Sequence, residues 1–76
     1  MNVGHYDKAI GILERLIKME PGQFRNFAQL GLAYAAVGRN DEAVIMFHKS
    51  VELEPKFQSQ ADSYIQQIQV GKMRVK

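Results

Sequence analysis

Sliding the chain against itself by 34 positions lays Val3 on Val37, Gly4 on Gly38, Asp7 on Asp41, Ala9 on Ala43, Glu20 on Glu54 and Pro21 on Pro55. Conservative matches join them: Ile10 on Val44, Arg15 on Lys49, Ile17 on Val51 and Met19 on Leu53. Identity is modest, but several of the matches fall on Gly, Ala and Pro. Glycine and proline hold their places for geometric reasons: one admits backbone that other residues resist, the other fixes φ and removes a donor. A period in this range marks a unit that cannot bury its apolar face alone and does so by stacking on a neighbour. The chain is thereby constrained to a short stack of like units.

Within each unit the apolar spacing is helical. From about Tyr6 to Met19, Ala9, Ile10, Ile12, Leu13, Leu16, Ile17 and Met19 recur at one-turn and two-turn intervals. A second helix is expected from about Gln23 to Val37, and Gly38 suits the left-handed position that closes it. A third is expected from about Asp41 to Leu53, capped by Asn40 or Asp41. Pro55 ends it as Pro21 ends the first, because the residue before a proline is pushed out of helical geometry. A fourth spans about Phe57 to Val70, with Ala61, Tyr64, Ile65 and Ile68 inward and Gln, Ser and Asp elsewhere. Short connections make successive helices antiparallel neighbours. The expected fold is all-α, a solenoid of four antiparallel helices, and the aromatic residues read as core.

Composition closes other routes. A chain of 76 residues is one domain. With no cysteine it has neither a disulfide nor a thiolate metal site. Ten basic against eight acidic residues leave a net charge of +2, too little to imply nucleic acid. No apolar run approaches the ~18 residues a membrane span needs, and no secretory signal pattern opens the chain. A soluble, cytoplasmic module is the expectation.

The middle of the chain reads Phe27-x-x-Leu30-Gly31-x-x-Tyr34, then Ala43-x-x-x-Phe47, then Pro55. This resembles a tetratricopeptide repeat, whose landmarks are Trp-x-x-Leu-Gly-x-x-Tyr, Ala-x-x-x-Phe and Pro over about 34 residues. Phe27 stands where the pattern has Trp and keeps a large ring. The resemblance covers about residues 4–70. It divides the chain into the second helix of a truncated repeat (4–21), a complete repeat (22–55), a capping helix (56–71) and a basic tail (72–76). In the capping helix Ile65 replaces the small glycine.

Nothing in the pattern suggests catalysis or a cofactor. His48 and Glu52 are one helical turn apart, a spacing that suits a metal, but two ligands do not make a site and His48 reads as solvated. Asp41 and Glu42 read as first-turn acids that favour the helix dipole. No Ser-His-acid pattern and no phosphate loop is present.

What the resemblance implies instead is a protein or peptide partner held in a concave groove. By position, the second helix would contribute Arg25, Ala28, Gln29, Leu32, Ala35 and Ala36, and the fourth Ser59, Asp62, Ser63, Gln66 and Gln69. Arg25 is the one cation in that set and could pair with a carboxylate. Some members of the family clamp the free C-terminus of chaperones with Lys, Asn and Arg. The corresponding positions here hold Ala28, Gln29, Leu32, Ser59 and Ser63, none of them basic, and Asp62 stands nearby, so no such binding is expected.

Gly4 aligns with the helix-ending Gly38, and only Met1, Asn2 and Val3 precede it, so helix one is expected to lack an upstream partner. Helix one is also apolar on more than one face. Helix one is therefore expected either to belong to a fragment of a longer array, part of a larger scaffold, or, as the alternative function, to self-associate through Ile10, Leu13 and Ile17. RNA binding, as in the related pentatricopeptide class, is a third reading, which the proline landmarks and the weak charge oppose.

Overall fold

Helix fills each segment whose spacing called for it. The structure is a computed structural model that describes residues 3–74, with side-chain burial over 5–70. Its elements are α1 (Val3–Met19), α2 (Phe24–Ala36), α3 (Asn40–Leu53), a 3₁₀ turn (Pro55–Phe57) and α4 (Gln58–Arg74). Among the described residues there is no strand.

The punctuation residues act as their chemistry dictates. Gly38 adopts φ +86°, and the turn around it closes α2 with two backbone bonds, Arg39 N to Tyr34 O at 2.9 Å and Gly38 N to Ala35 O at 3.1 Å. This is the paired closure that a left-handed residue after a helix permits. It leaves only Arg39 between Gly38 and the next helical residue. Asn40 is consequently the first residue of α3, and the N-cap is Arg39, with no side-chain cap bond. The expected Asn40 or Asp41 cap is displaced by this early start. The Arg39 guanidinium instead reaches into the first turn and donates to Glu42 from two of its nitrogens, Nε and Nη2, at 2.6 and 2.7 Å. That bond holds the Glu42 carboxyl below its usual range. At the other end of α3, Glu54 is extended (φ −138°, ψ 92°) ahead of Pro55, and its carboxylate accepts from Lys56 N at 3.2 Å. Phe57 lies in the 3₁₀ turn, so α4 begins at Gln58 and continues to Arg74, into the segment expected to be a basic tail. Val75 and Lys76 of that tail fall outside the described residues, as do Met1 and Asn2. Gly4 sits inside α1 rather than ending a helix.

Each helix packs on the one before it, α2 on α3 most extensively, then α1 on α2 and α3 on α4. The core is centred on Phe47, fully buried together with Ala43 and Ala61. Its ring stacks on Tyr64 of α4 at 5.3 Å and 15°. On the α2 side it lies over Gly31, where a Cβ would stand 3.1 Å from two Phe47 ring carbons and 3.2 Å from the Ala43 carbonyl oxygen. Ser50, one turn after Phe47, is also fully buried, with Oγ 3.2 Å from Phe24 O and 3.1 Å from Met46 O. One hydroxyl thus ties the end of α3 to the start of α2, and among the described residues no buried side-chain nitrogen or oxygen lacks a partner.

Two expectations about α1 need correction. Ile10 and Leu13 are buried and Ile17 is packed against the core, so these residues form the seam with α2 and are not a free face. The exposed apolar side of α1 is Ile12, Leu16 and Met19, joined by Tyr6, which is therefore not a core aromatic.

Candidate partner-binding groove

Along α2 the proposed groove positions divide by exposure. Arg25 and Gln29 are exposed, Leu32 is 42% exposed, Ala35 and Ala36 are half-buried, and Ala28 is buried. Ala28 is thus a floor position, because its helical face turns toward the neighbouring helix. Near the start of α2, Arg25, Ala28 and Gln29 share a hollow of about 250 Å³ with Phe24, Phe57 and Gln60. Phe24 and Phe57 form its aromatic wall, with ring centroids 5.4 Å apart. The Arg25 guanidinium lies 6.0 Å from the Phe24 ring centre. The sequence pattern had put both aromatics in the core and had not placed Gln60 in the groove at all. The missed signal is that Phe24 and Phe57 stand at two of the three inter-helix turns, where rings are only half covered.

On α4, Ser59, Asp62, Ser63 and Gln66 are exposed. Asp62 accepts from Gln58 Nε2 at 3.2 and 3.4 Å, which orients it along its own helix. Gln69 is exposed but borders a different hollow, of about 260 Å³, with Ile68 and with Asn40, Asp41, Val44 and Ile45 of α3. It is therefore not grouped with the α2 positions.

A larger hollow, of about 440 Å³, lies where α1, α2 and α3 meet. At its edge the buried Tyr34 hydroxyl donates to Glu14 Oε2 at 2.7 Å. Arg39 lies over the Tyr34 ring at 4.5 Å. Burial, then the bond to the Glu14 carboxylate, pushes the Tyr34 phenol up to about 12. The folded state therefore favours the neutral phenol, and its contribution to stability is complete below the unfolded value near 10 and is lost as pH rises toward 12. Tyr34→Phe is expected to cost about 1–2 kcal/mol at neutral pH and to flatten the loss of stability between pH 10 and 12. Urea midpoints of both proteins at several alkaline pH values check this; parallel pH profiles would refute it.

His48 and Glu52 are both exposed, and no group of three or more metal-ligating side chains occurs among the described residues. No helix there is long and apolar enough to cross a membrane.

The stacked geometry, the Gly31–Phe47 close approach and the proline-ended α3 coincide with a family match: the tetratricopeptide repeat model fits residues 24–57. Residues 24–57 are a tetratricopeptide repeat. No curated protein and no solved structure matches the chain. The tetratricopeptide match begins and ends two residues later than the unit expected at 22–55 and takes in α2, α3 and the 3₁₀ turn. Such repeats are generally protein–protein interaction modules and typically have no catalytic role.

Proposed function

We propose that the chain binds a peptide or helix of a partner protein along the exposed side of α2, next to the start of α4. The observation that carries this reading is the pairing of an exposed apolar residue, Leu32, with a hollow that is walled by Phe24 and Phe57 and rimmed by Arg25. An interaction module needs an apolar anchor site with a polar rim, and this stretch supplies both. Arg25 favours a carboxylate near the anchor, while Asp62 disfavours a second one further along. Peptides selected from a displayed random library on the folded protein test the reading. Leu32→Arg is expected to weaken them by about tenfold or more (~1.4 kcal/mol or more), with far-ultraviolet circular dichroism and melting unchanged. Selected peptides that bind Leu32→Arg as well as the parent would refute the site.

Self-association is the second reading, and the exposed side of α1 favours it. Under the 34-residue offset, Ile12 and Leu16 correspond to Met46 and Ser50, on the α3 side that meets α2. On α1 that side leaves Ile12 56% and Leu16 37% exposed. The exposed positions of α4 are mostly polar, so two copies pairing α1 to α1 bury more apolar surface than a head-to-tail stack, and such a two-fold pair closes on itself. Sedimentation equilibrium should then show a dimer that Leu16→Glu returns to monomer. A monomer at every concentration would rule this reading out.

A further inference from the structure

The hollow between α1 and α3 is absorbed by neither reading above. Its apolar lining comes from Ile17, Phe27, Leu30 and Met46, and Gly11 stands at its edge. Gly11 lies in the middle of α1, where glycine is a poor helix former. Nothing among the described residues calls for it: its φ is not positive, and apart from its own helix backbone a Cβ there would meet no atom within 4 Å. Gly31 is the contrast, because Phe47 fills the space beside it. One repeat further on, the residue corresponding to Gly11 is Ile45, which protrudes 51% exposed. At Gly11 the corresponding space is open.

Charge supplies the second observation. Arg15 and Lys18, both exposed, border the same hollow, and the Arg39–Glu42 ion pair lies away from them. Glu14 lines the hollow too; its carboxylate accepts from the neutral Tyr34 hydroxyl at 2.7 Å and keeps its charge, so the rim carries two cations against one carboxylate. A rim of net positive charge, with the Arg15 and Lys18 side chains in no ion pair with Glu14, thus overhangs an apolar floor. Opposite charge in a partner is attracted to such a rim, and an apolar side chain gains by covering the floor.

We propose that this hollow is a second docking site, for a partner-protein segment that presents one large apolar side chain flanked by Asp or Glu. The apolar side chain enters beside Gly11, over Phe27, Leu30 and Met46. The flanking carboxylates meet Arg15 and Lys18. The site lies on the α1 side of α2 and is independent of Arg25 and Leu32.

The probe is an acetylated, amidated peptide Asp-Glu-Phe-Glu-Asp, titrated into ¹⁵N-labelled protein, with Lys-Lys-Phe-Lys-Lys as its control. The acidic peptide is expected to shift the amides of Gly11, Arg15, Lys18 and Met46, and the basic one to leave them unmoved. Gly11→Leu should abolish these shifts while keeping the fold, since the new side chain occupies the opening. Arg15→Glu with Lys18→Glu should reverse the preference between the two peptides. Leu32→Arg should change nothing here, which separates this site from the groove on α2. Shifts confined to Arg25, Gln29 and Phe57, binding indifferent to Gly11→Leu, or no binding at millimolar peptide would each overturn the proposal.

Discussion

Phe47→Ala should leave no cooperatively folded protein at 25 °C. The Phe47 ring is fully buried, lies against Gly31 on one side and stacks on Tyr64 at 5.3 Å on the other, so it joins α2, α3 and α4 at one point. Truncating a buried phenylalanine to alanine costs about 3–5 kcal/mol, the transfer of the ring plus the cavity it leaves. A single core in a chain of this size, with no cysteine for a disulfide, supplies about the same amount. The loss and the reserve are therefore comparable, and unfolding results. Phe47→Leu should be milder, because the corresponding residue one unit earlier is Leu13, buried against α2. Circular dichroism at 222 nm with urea titration measures both. A cooperative Phe47→Ala transition within about 1 kcal/mol of the parent would show that the three helices are joined elsewhere.

How far such a structure is legible in the sequence depends on whether a residue's role is local or shared. Pro21, Pro55 and Gly38 act through their own backbone, and their effects were readable directly. The pairing of Gly31 with Phe47 was readable through the repeat pattern. Ser50 was not: a serine on a helix reads as neutral, and its burial follows from its place one turn after Phe47, facing the start of α2. The Tyr34–Glu14 bond joins residues 20 apart on different helices, and no spacing rule reaches that far. The case of α1 is more instructive. It is apolar on two sides, so periodicity alone could not say whether Ile10, Leu13 and Ile17 or Ile12, Leu16 and Met19 met α2. The repeat held the missing signal, since Ile12 and Leu16 correspond to Met46 and Ser50, which face the preceding helix of their own unit. Ala28 in the groove failed for a related reason: an alanine fits a solvent face and a close helix contact equally well.

Gly31→Leu should unfold the chain as fully as Phe47→Ala, by the opposite cause. Helix propensity alone favours the change, by roughly 1 kcal/mol for any good helix former over glycine. Against it, the first added carbon already lies 3.1 Å from the Phe47 ring and 3.2 Å from the Ala43 carbonyl oxygen. The ring can yield a little, but the carbonyl belongs to the α3 backbone and moves only if the helix moves. A leucine side chain must therefore push α3 away from α2 and lift Phe47 out of its contacts. Overpacking of this kind costs about 1–3 kcal/mol by itself, and the lost Phe47 burial adds to it. The two single changes should be strongly non-additive, because each removes what the other requires: Gly31→Leu with Phe47→Ala should recover part of a cooperative melt that neither single variant shows. Losses that simply add would place the strain somewhere other than this contact. Ile65 supports the cause assigned here. It occupies in α4 the position of Gly31 in α2, remains half-buried, and the corresponding side of α4 has no following helix among the described residues. Bulk at this point of the repeat is thus limited by the helix stacked on it and not by the helix that carries it.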